Sequence, residues 1–273
     1  MRRVVRAALD EDLGAHGDVT SLAALAPEIR AAGRIVARSP LVLAGVGVAR
    51  EVFLALDPEI HFLEKRADGE SLVGGDCAAE VSGSARAILA GERTALNFLM
   101  RMCGIATATA SAVDEVEGTG ARILDTRKTA PGLRALDKYA VTCGGGMNHR
   151  MGLFDAVMIK DTHLGAGCTI GEAVRAAVAG GQKAESLTVE VRDLDQLEQA
   201  IAAGAGRALL DNMDPGRLRS AVQAAGGRIV LEASGGLRPG LLREVAESGV
   251  DFLSLGWLTH SAPAADLALE MKE

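Results

Sequence analysis

Residues 187–212 read LTVEVRDLDQLEQAIAAGAGRALLDN, and this stretch decides the fold. A short, largely apolar run at 187–191 carries one acid, Glu190, near its end. Amphipathic helical spacing follows over 194–203, and a second apolar run at 208–210 ends on Asp211-Asn212. Strands covered on both faces read as near-continuous apolar runs, and a helix between two of them makes a parallel β/α/β unit. The rhythm extends in both directions. Further apolar runs stand at 121–124, 156–159, 229–231 and 252–255, with helical stretches at 133–141, 170–179, 215–225, 239–247 and 264–271. Six β/α units are legible. The runs end on polar or Gly-rich residues: Asp125-Thr126-Arg127-Lys128, Lys160-Asp161, Asp211-Asn212, Ser234-Gly235-Gly236 and Gly256. Active sites of α/β barrels are assembled at the carboxyl ends of several strands, so this placement favours an incomplete or irregular barrel over an open doubly wound sheet.

Before residue 120 strands and helices mix without regular alternation. Helices are expected at 4–9 and 46–56, and strands at 33–44, 60–65 and 77–89, the last interrupted by Ser82-Gly83-Ser84. A long helix is expected over 92–117, with Leu96, Leu99, Met100 and Cys103 at helical spacing. Glu92 would then stand in its first turn, where the helix dipole favours an acid. The chain divides into an N-terminal domain over 1–118 and a catalytic domain over 119–273, with the C-terminal helix packing back on the former.

The hydrophobic share, 48%, is ample for a core, but aromatics are so few (3%) that Ala, Val, Leu and Ile must build it. With 29 Lys+Arg against 36 Asp+Glu the chain is acidic, at a formal charge of −7. Nucleic-acid binding would call for a broad basic face, and none is visible. Cys77, Cys103, Cys143 and Cys168 form no CxxC pair, which points to reduced thiols and away from disulfides or zinc. Arg6 and Asp10 break any apolar core of a signal segment, and no run approaches a membrane span. A soluble, cytoplasmic protein is expected.

Against this acidic background, Arg127, Lys128, Arg150 and Lys160 cluster beside buried runs or next to the triple glycine Gly144-Gly145-Gly146. Arg offers a planar fork to carboxylate or phosphate and Lys a movable point charge, so the group predicts a pocket for a small, multiply charged anion. The triple glycine allows close backbone approach to a ligand, and His149 beside Arg150 is expected to orient or hydrogen-bond more than to act as a base. Glu190 and Asp211 end successive strands. They suit Mg²⁺ held together with substrate oxygens, or sugar hydroxyls, or an ion pair with a lysine such as Lys160. Ser234-Gly235-Gly236 before a helix resembles a late-barrel phosphate grip, and Gly256 ends its strand in a similar way, with Thr259, His260 and Ser261 close behind.

These residues carry a family resemblance. Glu11-Asp-Leu-Gly with Gly17-Asp-Val-Thr20, Gly91-Glu-Arg-Thr-Ala-Leu-Asn97, Leu124-Asp-Thr-Arg-Lys-Thr129 with Pro131-Gly-Leu-Arg134, and Gly144-Gly-Gly with Asn148-His-Arg150 come first. Ile159-Lys-Asp161, Val189-Glu-Val191, Leu210-Asp-Asn-Met213, Glu232-Ala-Ser-Gly-Gly236 and Thr259-His-Ser-Ala-Pro263 follow. In this order they resemble the nicotinate-nucleotide pyrophosphorylase (carboxylating), or quinolinate phosphoribosyltransferase, family. The resemblance implies an N-terminal α/β sandwich joined to an irregular, about seven-stranded, TIM-like α/β barrel. It implies phosphoribosyl transfer from phosphoribosyl pyrophosphate (PRPP) to quinolinate with decarboxylation, in NAD biosynthesis, with Mg²⁺.

By the same resemblance, Arg93, Thr126, Arg127, Lys128, His149, Arg150, Lys160, Glu190, Asp211, Ser234, Gly235, Gly236, Gly256 and His260 contact substrates. Lys128, Lys160, Glu190 and Asp211 carry the catalysis, and Glu190 and Asp211 serve the metal directly or through PRPP and water. A homodimer or a hexamer of dimers is implied, with Arg93 donated across the interface. Met147 stands where the family usually has Tyr, and Thr162 where it usually has Asn. The rival readings are a paralogue acting on another base, such as the one found with molybdate transport genes, a silent metabolite-binding relative, and a barrel aldolase using Lys160 as a Schiff base.

Overall fold

Along the chain the computed structural model, which describes residues 1–165 and 167–272, begins with α1 (Arg2–Leu13), α2 (Val19–Ala24), β1 (Arg30–Ala37), β2 (Leu41–Val42), α3 (Val46–Leu56), β3 (His61–Glu64), β4 (Ser71–Leu72), β5 (Cys77–Ser84) and α4 (Ala85–Glu115). It continues with β6 (Arg122–Leu124), α5 (Arg134–Cys143), β7 (Met158–Ile159), α6 (Asp161–Leu164), α7 (Ile170–Ala179), β8 (Thr188–Val191), α8 (Leu194–Ala202) and β9 (Arg207–Asp211). Then come α9 (Pro215–Ala225), β10 (Val230–Ser234), α10 (Leu242–Ala246), β11 (Phe252–Ser254), α11 (Trp257–His260) and β12 (Leu267–Met271). All six apolar runs of the rhythmic half are strands.

Two units emerge, and they differ from the two continuous spans expected. One comprises 1–110, 129–145 and 258–273; the other comprises 111–128 and 146–257. The first unit holds an antiparallel sheet ordered β12-β1-β5-β3. Its core gathers Ile35, Phe53, Ile88, Leu99, Met102 and Ile105, all buried. A fully buried side chain of this size contributes about 1.5–3 kcal/mol. Arg101 grips the buried Asp137 with two 2.8 Å hydrogen bonds and donates a third to the Thr259 carbonyl, tying α4 to α5 and to the last segment of this unit.

Several expectations for this unit are corrected. Residues 264–271 favour a helix by propensity, yet they end in strand β12, with Gly33 opposite Met271 and Ala37 opposite Leu267. Unpaired hydrogen-bonding groups along β1 outweigh the weak local preference. The strand expected through Leu89 stops at Ser84, and α4 begins at Ala85. Ser84 is the last paired residue, and its side chain turns to the helix: Ser84 Oγ accepts the Ala87 N–H, and Arg86 closes on the carbonyls of Leu22 and Leu25. Glu92 and Arg93 therefore lie inside the helix, not at its start. By length and composition α4 is also apolar enough to cross a bilayer, contrary to the sequence reading, although its buried residues join the core just described. The triple glycine serves packing: a Cβ on Gly144 would sit 2.2 Å from the Ala106 carbonyl oxygen of α4. Gly145, at φ 83, makes the turn that follows α5.

In the second unit six parallel strands are ordered β6-β11-β10-β9-β8-β7. Among the described residues no ladder joins β6 to β7; Leu124 makes an isolated parallel bridge to Met147. Local chemistry fixes the helix starts. Asp193 and Asp214 cap α8 and α9 through the N–H groups of Gln196 and Arg217, and Pro215 sits at the first turn of α9. Thr169 and Glu172 form a capping box on α7. The caps start α8 and α9 within four residues of β8 and β9, whereas α7 follows β7 only after α6.

Candidate active site

Side chains alternate across a strand, so every second residue of the parallel strands faces one side. A cavity of about 550 Å³ opens on that side at the carboxyl ends of the second unit's strands. Met158 and Lys160, Glu190, Leu209 and Asp211, Glu232 and Ser234, and Ser254 line it at this two-residue spacing. Thr126, Arg127, Lys128, His149, Arg150, Asn212, Gly235 and Gly236 complete the lining. Eleven of the fourteen residues expected from sequence are therefore brought together. Gly256 lies two residues past β11 and outside the lining, while Arg93 and His260 belong to the first unit.

The cationic residues differ in their partners. Lys160 Nζ lies 2.8 Å from Glu190 Oε2, so the ion pair that the sequence left open is formed. Glu190 is nearly buried and Lys160 about two-fifths exposed, which leaves the ammonium able to reach a ligand. His163 sets the approach of Lys160, its Nδ1 accepting the Lys160 N–H at 3.0 Å. Arg150 donates to the Ala156 carbonyl at 3.0 Å. Burial, and then the neighbouring charge of Arg127, lower the Arg150 pKa. Two guanidinium groups that repel one another in a partly desolvated cavity favour an anion between them.

His149 is committed on both ring edges. Its Nδ1 accepts the Arg150 N–H at 2.6 Å, and its Nε2 faces Glu232 Oε1 at 3.4 Å. This geometry supports an orienting role. The buried Asp125 accepts the His149 backbone N–H at 2.8 Å and pins the segment to β6.

Glu232 was quoted in the sequence motif, but its part in the site was missed. Its carboxylate is wholly buried and meets Arg207 Nη1 at 3.1 Å, Ser254 Oγ and His149. Burial alone would raise its pKa; His149, Ser254 and Arg207 outweigh that cost and hold it below the ordinary Glu range. Arg207 also stacks over the Phe252 ring at 4.6 Å. Met158, Leu209, Asn212 and Ser254 were missed as well. Counting back two residues from Lys160, Asp211 and Ser234 finds Met158, Leu209 and Glu232, because the strand period places them on one face.

Residues 105–270 match the family described as quinolinate phosphoribosyl transferase, C-terminal domain, and residues 18–103 match its N-terminal domain. The chain belongs to the quinolinate phosphoribosyltransferase family. It is 41% identical to the probable nicotinate-nucleotide pyrophosphorylase [carboxylating] of Bacillus subtilis, over 96% of this chain and 90% of that one. It is 42% identical to the nicotinate-nucleotide pyrophosphorylase [carboxylating] of Mycobacterium leprae, over 99% and 96%. A solved nicotinate-nucleotide pyrophosphorylase from Francisella tularensis superposes with a TM-score of 0.92 at 39% identity, over 99% of this chain and 95% of that one. Within this family frame the cavity gathers the DTRKT, NHR, KD, LDN and SGG motifs on one face of one sheet.

Proposed function

We infer that the protein catalyses phosphoribosyl transfer from PRPP to the ring nitrogen of quinolinate, releasing pyrophosphate and carbon dioxide and forming nicotinate mononucleotide in de novo NAD biosynthesis. The observation that carries this reading is the cavity itself: Arg127, Lys128, Arg150 and Lys160 face two carboxylates and a glycine turn, on a chain of net charge −7. Four cations exceed what a monocarboxylate needs and suit a dicarboxylate beside phosphates.

The residues divide by chemistry. Arg127, Arg150 and Lys160 hold the quinolinate carboxylates, with His149 bracing the Arg150 backbone. Lys128 meets the departing pyrophosphate, and the N–H groups of the Ser234–Gly236 turn receive the 5′-phosphate. As the bond from the anomeric carbon to pyrophosphate breaks and the carbon–nitrogen bond forms, positive charge grows on the ribose; Glu190 and Asp211 stand on the face where it develops. Rate enhancement then comes from positioning and electrostatics, with no covalent nucleophile. The 2.8 Å ion pair with Glu190 engages the Lys160 Nζ, which disfavours the Schiff-base alternative.

Glu190 and Asp211 offer hard oxygen donors that fit Mg²⁺. Among the described residues no group of three or more candidate ligands is assembled, so the fit is to an ion carried by substrate phosphates and water. When bound, Mg²⁺ neutralises charge on the leaving pyrophosphate. The bridge from Leu124, at the end of β6, to Met147 supports reading the sheet as the wall of an irregular barrel of about seven strands. A dimer or a hexamer of dimers in the cytoplasm, with Arg93 reaching the partner's cavity, completes the proposal. A coupled assay for nicotinate mononucleotide tests it: quinolinate should be turned over with PRPP and Mg²⁺, and nicotinic acid poorly. Equal turnover of both acids would remove the dicarboxylate specificity.

A further inference from the structure

Among the described residues Asn212 is the one non-glycine residue with a left-handed backbone, at φ 53. Such a conformation costs an L-residue energy and persists where the surroundings enforce it; Asn tolerates it better than most. Its neighbours show what enforces it. Asp211 pairs with Ser234 in the β9–β10 ladder, and the Asn212 N–H extends that ladder by donating to the Ser234 carbonyl at 2.8 Å. The Asn212 side chain then turns under the glycine loop. A Cβ on Gly235 would lie 2.2 Å from Asn212 Oδ1 and 2.6 Å from its Cγ. Gly235 itself stands at φ 95. One side chain thus fills the space beneath the loop and also fixes the residue that follows the Asp211 carboxylate.

We propose that Asn212 is a positioning residue for the PRPP half of the cavity, a wedge that sets the spacing between Asp211 and the Ser234–Gly236 turn. The inference rests on the assignment of that turn to the 5′-phosphate. The quinolinate half, built from Arg127, Arg150 and Lys160, is independent of the wedge. Gly235 is then glycine for two reasons: its backbone is left-handed, and Asn212 occupies the place of a side chain.

The test uses the full-length enzyme with Mg²⁺, following KM for PRPP together with calorimetric dissociation constants for PRPP and for quinolinate. Asn212→Gly keeps the left-handed backbone accessible and removes the wedge. It should raise the PRPP constants about tenfold and move the quinolinate constant less than about twofold. Asn212→Ala should do the same with added loss of stability, and if it fails to fold, the Gly variant carries the test. Gly235→Ala should be more damaging than Asn212→Gly, and combining the two should recover part of that extra loss, because the wedge is gone. An unchanged PRPP constant in Asn212→Gly overturns the proposal. So does a parallel fall in affinity for both substrates, or a Gly235→Ala penalty equal in both backgrounds. A wild-type enzyme that makes no nicotinate mononucleotide overturns the functional reading and this inference with it. A working wild type with unaffected Asn212 variants overturns this inference alone.

Discussion

Replacing Glu232 by Gln removes one charge and almost no volume from the floor of the cavity. In the native protein the wholly buried carboxylate accepts from Arg207 at 3.1 Å and from Ser254, and faces His149 at 3.4 Å. A hydrogen bond to a charged group contributes about 1.5–3 kcal/mol and a neutral one about 0.5–1.5, so the Arg207 contact alone loses about 1–1.5 kcal/mol. The His149 contact is long and adds less; with the amide oxygen kept toward Arg207, the amide N–H replaces Oε1 and Ser254 Oγ must turn to accept from it. Arg207 is partly exposed, so water takes over some of its solvation. A total loss of about 1–2 kcal/mol follows for Gln, and about 3–5 kcal/mol for Ala, which strips the acceptor from a buried network. The pH dependence has a definite sign. The folded-state pKa of Glu232 is depressed, so its stabilisation is fully present above the unfolded value, about 4.3, and fades as pH falls from there through the folded value. Denaturant titrations of wild type and Glu232→Gln should therefore differ by a constant amount from about pH 8 to about pH 5, with the gap closing below about pH 4.3. A gap under about 0.5 kcal/mol at neutral pH, or one that widens on acidification, would refute the network as a source of stability.

Lys160→Ala and Arg150→Ala should each weaken quinolinate binding by about 10- to 150-fold, with Lys160→Ala at the upper end because it also leaves Glu190 facing the anion unpaired; unchanged dissociation constants in both would return these residues to a structural role. Glu190→Gln and Asp211→Asn should impair PRPP use, yet quinolinate affinity should hold or rise, since Glu190→Gln releases Lys160; calorimetry showing a large loss would mean the roles are misassigned. Arg93→Ala and Lys128→Ala homodimers should each be nearly inactive, while mixed dimers recover about half of the wild-type sites if Arg93 acts across a two-fold interface. No recovery after confirmed subunit exchange would place Arg93 in its own subunit's site or outside the chemistry.

The catalytic half of the chain was legible because a strand covered on both faces has a plain sequence signature, and the polar residue that ends it stands out. Lys160, Glu190, Asp211 and Ser234 were found that way. Glu232 and Ser254 were harder to see: Ser254 sits inside the 252–255 run, and Glu232 follows its run directly but lies within β10, where only partners from other strands make a buried acid tolerable. Period-two alternation at Leu267, Leu269 and Met271 was available as a strand signal, but the Ala-rich surroundings favour helix and the deciding partner, β1, is remote in sequence. The same remoteness hid the division into units, since no local composition marks residues 129–145 or 258–273 as belonging with the first hundred. The triple glycine could be read as a turn or as a place of close approach without saying to what; at Gly144 the close neighbour is the α4 backbone.

Strand β12 also has a consequence for biosynthesis. Gly33 and Met271, which pair across β1 and β12, are separated by 238 residues of chain and leave the ribosome that far apart. At about 5–20 residues per second, β1 emerges on the order of ten seconds or more before the strand that covers its edge. Throughout that interval Ile35 and the outer hydrogen-bonding groups of β1 are available to other nascent chains. The sheet that holds β1 is completed only when β12, the last of the described strands in chain order, arrives. Ribosome-stalled chains ending near residue 260 should therefore be protease-sensitive in residues 30–37, and should become protected once Met271 clears the exit tunnel.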